Sequence, residues 1–412
     1  MNLPTILTHV RRLPAAVVAA LADTGVGRWR TLRRLLRAHY YELAQVEGQF
    51  SGPGWDKLTQ ELAESRFVLV GESHGLAQVP AFTQAVAERF APQVFVAELD
   101  ACQAQDLADL VAQPGPPVAY LREHPSSLAF YSWAEEFELV RFLRARQVEL
   151  WGIDQVFLAS TGRYYARLAE QVRDPATQAR LREWATRYQA QDRAALQAGT
   201  NDFSMFTQPP AAVQELLALV QAESPAVQAL ARAYALSHHI YQQQLAGTGG
   251  HQQRVNLLKR NLLALLLHWQ AGAQLPWPRV LAKMGALHLA RNLSPLVSGG
   301  YFDVGNLLQN LAEVQDQQSL HLFIVGKRGT QAVGSHPDDP TQNSVAYGPE
   351  EFAFLKPFFR RTGTAWAVFD LRPLREAALT NKLRLPNQNL LRTILGYDLL
   401  VVIPETTASQ GY

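Results

Sequence analysis

Cysteine is almost absent from this chain: among 412 residues Cys102 stands alone. A lone thiol excludes an intrachain disulfide and any zinc cluster built on cysteine pairs. It fits a reducing, cytoplasmic setting. Long apolar runs are missing too. No stretch of eighteen or more apolar residues occurs, so no membrane-spanning helix is expected. The apolar stretch near the start, Leu13 to Ala22, is interrupted by Pro14 and lacks an A-x-A pattern. It reads as a helix rather than a signal peptide. Charge of one sign is scarce as well. Lys and Arg number 38 against 36 Asp and Glu, a net charge of +2. No nucleic-acid partner is expected from that balance. The densest basic segment, Arg28-Trp29-Arg30 through Arg37, reads as the solvated face of an amphipathic helix. The phosphate-binding patterns G-x-x-x-x-G-K-[ST] and G-x-G-x-x-G are absent, and so is the helical zinc motif H-E-x-x-H.

What is present is a repeated pattern of short apolar runs that stop on ionisable residues. RFVLVGESHG (66–75) is a buried-strand pattern closed by Gly71-Glu72-Ser73-His74-Gly75. VFVAEL (94–99) carries Glu98 and is followed by Asp100. VELWGID (148–154) ends on Gly152 and Asp154, and RVLAKMGALH (279–288) on Lys283, Gly285 and His288. WAVFDLR (366–372) closes on Asp370 and Arg372. Burying so many ionisable groups without partners would cost several kcal/mol each, so they are expected to converge in one wet cleft. In open α/β sheets that cleft lies beyond the carboxyl ends of the strands.

Strand and helix patterns alternate from 66 to 154 and strand patterns return at 279–284, 320–325, 366–371 and 398–403. This predicts an α/β fold with a central, mostly parallel sheet flanked by helices. Residues 1–60 read as a helical segment. Residues 61–160 and 270–412 form the α/β core, and 161–269, rich in Gln, Ala, Arg and Leu, a long all-helical insertion placed as a lid.

Within the expected cleft, His74 is the natural general base, because imidazole titrates near neutrality. Glu72 or Glu98 would orient its ring. His288, Lys283 or an arginine from the helical block would supply positive charge where an oxyanion develops. Ser73 is taken as a binding or capping residue rather than a nucleophile. Asp154 suits either the site or the cap of the next helix. Lys283 suits a solvated rim, and Arg254 and Arg260 the solvated face of their helix. Structural or surface roles are expected for His238, His239, His251 and His268, and aromatic packing for Tyr164 and Tyr165. A divalent metal held by Glu72, His74, Glu98 and His288 is the competing chemistry.

With these residues assembled, the chain resembles the erythromycin esterase family and its wider relatives, the haem-binding ChaN-like proteins and the Tiki/TraB group. The resemblance runs from about 66 to 404. It rests on Gly71-Glu72-Ser73-His74-Gly75, Glu98, Trp133 with Glu136, Gly152-x-Asp154, Arg254 with Asn261, His288, and the FDLR and YDLLVVI strands. It implies a central sheet with a helical lobe over the cleft and metal-free hydrolysis of a small-molecule ester or lactone. Glu72 and His74 would activate water, Glu98 would support them, and Arg254 and His288 would stabilise the oxyanion. It equally implies two alternatives, a metal-dependent hydrolase or a scaffold that binds haem or another small molecule without turnover. Three departures stand out. One residue, not two, separates Glu72 from His74. Gly285 or Ala286 replaces the first of two paired histidines. The helix after the motif lacks the family's arginine, reaching only Arg89.

Overall fold

The computed structural model describes residues 25–412 except 47, 274–276, 298, 335, 337 and 386. Nine strands form one sheet in the order β2-β1-β10-β11-β7-β3-β6-β4-β5. They are β1 (Tyr40–Val46), β2 (Gln49–Ser51), β3 (Ser65–Glu72), β4 (Val94–Ala97), β5 (Glu149–Gly152), β6 (Val280–Gly285), β7 (Gln318–Gly326), β10 (Trp366–Asp370) and β11 (Leu399–Ile403). From β11 to β5 every neighbouring pair is parallel, whereas β10, β1 and β2 join antiparallel. The expected α/β architecture is therefore present, with an antiparallel edge on a parallel sheet.

The parallel strands are covered on both faces, which is why they read as continuous apolar runs. Along β3, Val68 and Val70 pack into one core and Phe67 and Leu69 into the other, following the two-residue period of a strand. Helix Ala101–Val111 starts where Asp100 closes a capping box. Its Oδ1 accepts from the Cys102 and Gln103 amides at 2.8 and 3.1 Å, and Gln103 Oε1 accepts from the Asp100 amide at 3.1 Å. From Thr161 to Ala273 the chain is helical, and Tyr165, Trp184, Tyr188, Leu216 and Tyr234 build a core of their own.

One expectation is corrected. Residues 25–60 are not wholly helical, because β1 and β2 add two strands to the sheet edge. Only Leu43 is buried along β1, so the edge strand has no apolar alternation to announce it. The segment read as helix at Leu13 to Ala22 lies outside the described residues. The segment that leads into β5 over residues 127–146 is made of two pieces. It breaks into a 3₁₀ turn, Ala129–Ser132, and helix Ala134–Arg144, with Ala129 at φ 47° just before Phe130.

A hairpin without a sequence signal, β8 (Gly329–Ala332) and β9 (Ser344–Tyr347), leans on the turn after β3. Gly75 sits at the crossing with φ +76°, its carbonyl accepting from the Ala332 and Ser409 amides at 2.9 and 3.0 Å. A Cβ there would lie 2.2 Å from the Ala332 oxygen. Gly75→Ala is expected to cost more than the roughly 1–3 kcal/mol of backbone strain alone. Gly115, at φ +80° with nothing within 4 Å, isolates that strain. Urea denaturation should show Gly75→Ala clearly less stable than Gly115→Ala. Equal losses would mean that the hairpin yields.

Candidate functional site

Four adjacent strands deliver the site. Glu72 is the last residue of β3, Glu98 follows β4, Asp154 lies two residues beyond β5, and Gly285 ends β6, in register with Glu72. Packing four of these strands side by side brings their ionisable ends together, as their repetition along the sequence implied, but Asp370 and Arg372, at the end of antiparallel β10, stay outside and pair with each other and with Glu61. His74 joins from the turn after β3. Its Nδ1 lies 2.9 Å from Glu72 Oε1 and its Nε2 3.4 Å from Glu98 Oε2. Its ring stacks on Phe130 with centroids 3.8 Å apart and planes 13° apart. The His74 side chain is 24% exposed, against 2% for Glu72 and 1% for His288. That difference makes His74 the member of this cluster open to a reactant.

Buried cations hold the carboxylates. Lys283 Nζ donates to Glu72 Oε1 and to Glu136 Oε1, each at 2.6 Å, with 1% of its side chain exposed. Lys283 is thus a buried, doubly paired ammonium and not the expected rim residue. Arg254, from helix Gly250–Ala273, donates Nε to Asp154 Oδ1 at 3.0 Å and Nη2 to Asp154 Oδ2 and, at 2.9 Å, to Glu98 Oε1. Asp154 therefore anchors Arg254 rather than capping the next helix, which begins only at Thr161. His288 lies in the single turn Ala286–Leu289 after β6, with Nδ1 2.8 Å from Asp303 Oδ2. Its buried Nε2 lies 3.4 Å from Glu98 Oε1 and makes no hydrogen bond to a described residue.

The charges respond to this packing. Burial alone would raise the Glu72 and Glu98 carboxyls. Lys283 and His74 reverse that for Glu72, and His288 with His74 for Glu98, leaving both below the usual range. Burial disfavours the imidazolium of His74, but its hydrogen bonds to Glu72 and Glu98 win and push it up to about 9. His288 is likewise pushed up to about 9, by Asp303 and Glu98 against burial. Glu136 goes up to about 7 because burial outweighs the attraction of Lys283.

Gly285 explains how His74 reaches Glu98. A Cβ at 285 would lie 2.8 Å from His74 Nε2 and 3.4 Å from Glu98 Oε2. The Gly285 amide also donates to Glu98 Oε2 at 2.7 Å. The missing side chain at Gly285 thus leaves space, and the His74 ring occupies it.

Gly71-Glu72-Ser73-His74-Gly75 also spells G-x-S-x-G, the lettering of a serine nucleophile elbow. The backbone is different. Ser73 is buried, is not among the residues with positive φ, and has its Oγ 3.5 Å from Gln331 Nε2 rather than on a histidine. This supports a supporting rather than nucleophilic place for Ser73.

Several participants were not legible in advance: Phe130 against His74, Asp303 behind His288, and Gln331, whose Nε2 donates to the His74 carbonyl at 2.8 Å. The one usable signal was Lys283, a lysine inside an apolar strand run, which implies a buried carboxylate partner. Asn261 sits below the site, donating to the Ile153 carbonyl at 2.8 Å. Arg260, His239 and His268 are exposed on their helices, and His238 is buried on the Gln208 carbonyl. Tyr164 and Tyr165 pack in the helical core. His251 stands 6.4 Å from His288, ring to ring.

Among the described residues no group of three or more His, Cys, Asp or Glu is placed to hold a metal ion. The donor set argues the same way, since Lys283 and Arg254 already occupy oxygens of Glu72 and Glu98. A cavity of about 240 Å³, walled by Glu98, Asp154, Arg254, Phe130 and Tyr241, opens between the strand ends and the helical block. Among the described residues no helix is long and apolar enough to cross a membrane.

Comparison with known proteins gives no matching family model and no curated protein similar in sequence. Solved structures do match over most of their length. A succinoglycan biosynthesis protein is similar at TM-score 0.60 and 12% identity, with 93% of this chain and 99% of that one covered. A Bacillus cereus structural-genomics protein matches at TM-score 0.55 and 15% identity, with the same coverage. A variant of the erythromycin esterase EreC in its open conformation matches at TM-score 0.52 and 16% identity, covering 86% and 94%. At these identities the chain shares their fold.

Proposed function

We propose that the protein hydrolyses an ester or lactone of a small molecule, with His74 activating water. The observation that carries this reading is His74 itself, oriented by Glu72 through Nδ1 and by Glu98 through Nε2, with 24% of its side chain exposed. The fold shared with an erythromycin esterase supports it. In this scheme His74 Nε2 takes a proton from water as the water oxygen bonds to the carbonyl carbon. The carbonyl π pair becomes the oxyanion, stabilised by the Nε2–H of His288, 3.4 Å from Glu98 Oε1, and by the Arg254 charge. Collapse breaks the bond to the alkoxide, which takes the proton back from His74. Glu98 gives up its contact with His74 when water enters between them.

Acting as base, His74 must first lose the proton that Glu72 and Glu98 hold on it up to about pH 9. Acting as donor, His288 must keep its own, which it does up to about 9. Rising pH therefore first activates and then inactivates. The expected kcat/KM profile is a bell centred near pH 9. An activity that is already maximal at pH 6 and flat to pH 9 would remove His74 as the base. Activity unaffected by chelator is expected alongside. A requirement for added divalent metal would favour the metal-dependent chemistry instead.

A further inference from the structure

Phe130 does not only cover His74. Its ring also lies 5.7 Å from that of Trp133, and Trp133 walls a second cavity of about 830 Å³. The cavity stays close to the turn that carries His74. Thr330 and Ser409 line it, Gln331 beside Thr330 donates to the His74 carbonyl, and the Ser409 amide donates to Gly75.

Two guanidiniums on the same wall have charge left unmet. Arg193, half-buried on helix Pro175–Ala198, donates Nη1 among the described residues only to the Arg122 carbonyl, at 3.0 Å. Arg122 is exposed. Neither has a carboxylate within ion-pair distance among the described residues, whereas Arg163, Arg254, Arg291, Arg372 and Arg375 are all ion-paired. The one acidic side chain on the wall, Asp338, accepts from Gln197. The Trp133 indole, a flat apolar ring, lines the same cavity, its Nε1–H donating to the Gly334 carbonyl at 3.3 Å. A guanidinium pair recognises an oxyanion with two forks of donors, and an indole face recognises a planar apolar body.

We propose that this cavity binds a small molecule in which a carboxylate, sulfonate or phosphate sits beside a flat apolar portion. Arg122 and Arg193 take the anion and Trp133 the flat portion. Its link to turnover, as the subsite for the acid-bearing end of the substrate, rests on the hydrolase reading above; the binding itself does not.

Fluorescence titration of the full chain with 8-anilinonaphthalene-1-sulfonate tests it, using N-phenyl-1-naphthylamine as the uncharged probe of the same rings. The double variant Arg122→Gln/Arg193→Gln should bind the sulfonate about tenfold or more weakly, the loss expected for charge-assisted hydrogen bonds. It should bind the neutral probe as wild type does. Trp133→Ala should weaken both probes. The proposal is overturned if wild type does not bind the sulfonate, if the arginine variant binds it equally well, or if both probes weaken together in that variant. Charge-dependent binding without hydrolysis of any ester would sink only the link to turnover.

Discussion

Replacing His74 with alanine is expected to lower kcat/KM for ester or lactone hydrolysis about 10²–10⁴-fold, the usual contribution of a positioned proton acceptor. The size of the loss follows from the geometry. Glu72 and Glu98, the two carboxylates that flank His74, are tied to Lys283 and Arg254, so neither is free to replace it as base. The variant should fold, because His74 is part of no core cluster, although it loses the contacts of the ring with Phe130, Glu72 and Glu98. Water bound directly beside the stabilising His288 would sustain the remaining rate. Turnover within a fewfold of wild type, in a variant that still unfolds cooperatively in urea, would mean that another group takes the proton.

Lys283→Met is the change expected to cost the most stability. It leaves Glu72 and Glu136, both essentially buried, facing each other without the ammonium that each contacts at 2.6 Å. Breaking a buried ion pair by removing one partner costs about 3–5 kcal/mol, enough to move a urea midpoint well outside error. The loss should shrink as pH falls. Glu136 is already pushed up to about 7 with Lys283 present, so its carboxyl in the variant is readily neutralised by protonation. Adding Glu136→Gln to Lys283→Met should recover part of the stability, since the one carboxylate then left, Glu72, still has His74 at 2.9 Å. If Lys283→Met alone is as stable as wild type, the triad is not the tight internal pair described.

The linkage of the two histidines has the opposite sign. Both are charged in the folded protein up to about pH 9. The stability they contribute is complete below the ordinary histidine value near 6.5 and is lost as pH rises through about 9. The site thus reaches its expected activity maximum while giving up part of that stability, a conflict common where charged groups are concentrated for chemistry.

Much of the parallel sheet and the convergence at its strand ends was legible in the sequence, for a physical reason. A strand buried on both faces must be continuously apolar, so an ionisable residue that stops such a run can only be at its mouth. RFVLVGE, VFVAE and VELWGID obey that rule and place Glu72, Glu98 and Asp154. Lys283 breaks it. It lies inside β6, and only the tertiary position of Glu136, on a helix 147 residues earlier, explains why a lysine is tolerated there. Edge strand β1 and the β8–β9 hairpin were hidden because they bury few side chains and so carry no alternation. The lettering G-x-S-x-G shows the limit from the other side. The same five letters spell an elbow or a Glu–His pair, and only the backbone at Ser73 separates them. Gly285 is similar: its meaning, room for the His74 ring, exists only once β3 and β6 are paired.

The proposed hydrolysis stands or falls on His74 activating water for attack on an ester or lactone carbonyl. The most direct measurement is mass spectrometry of a panel of esters and lactones, macrolides included, incubated in ¹⁸O-water with wild type and with His74→Ala. Wild type is expected to give products carrying one labelled oxygen in the new carboxyl, and His74→Ala to give them at least about a hundredfold more slowly. Labelled products formed equally fast by both proteins, or no product from any member of the panel with wild type, would contradict it.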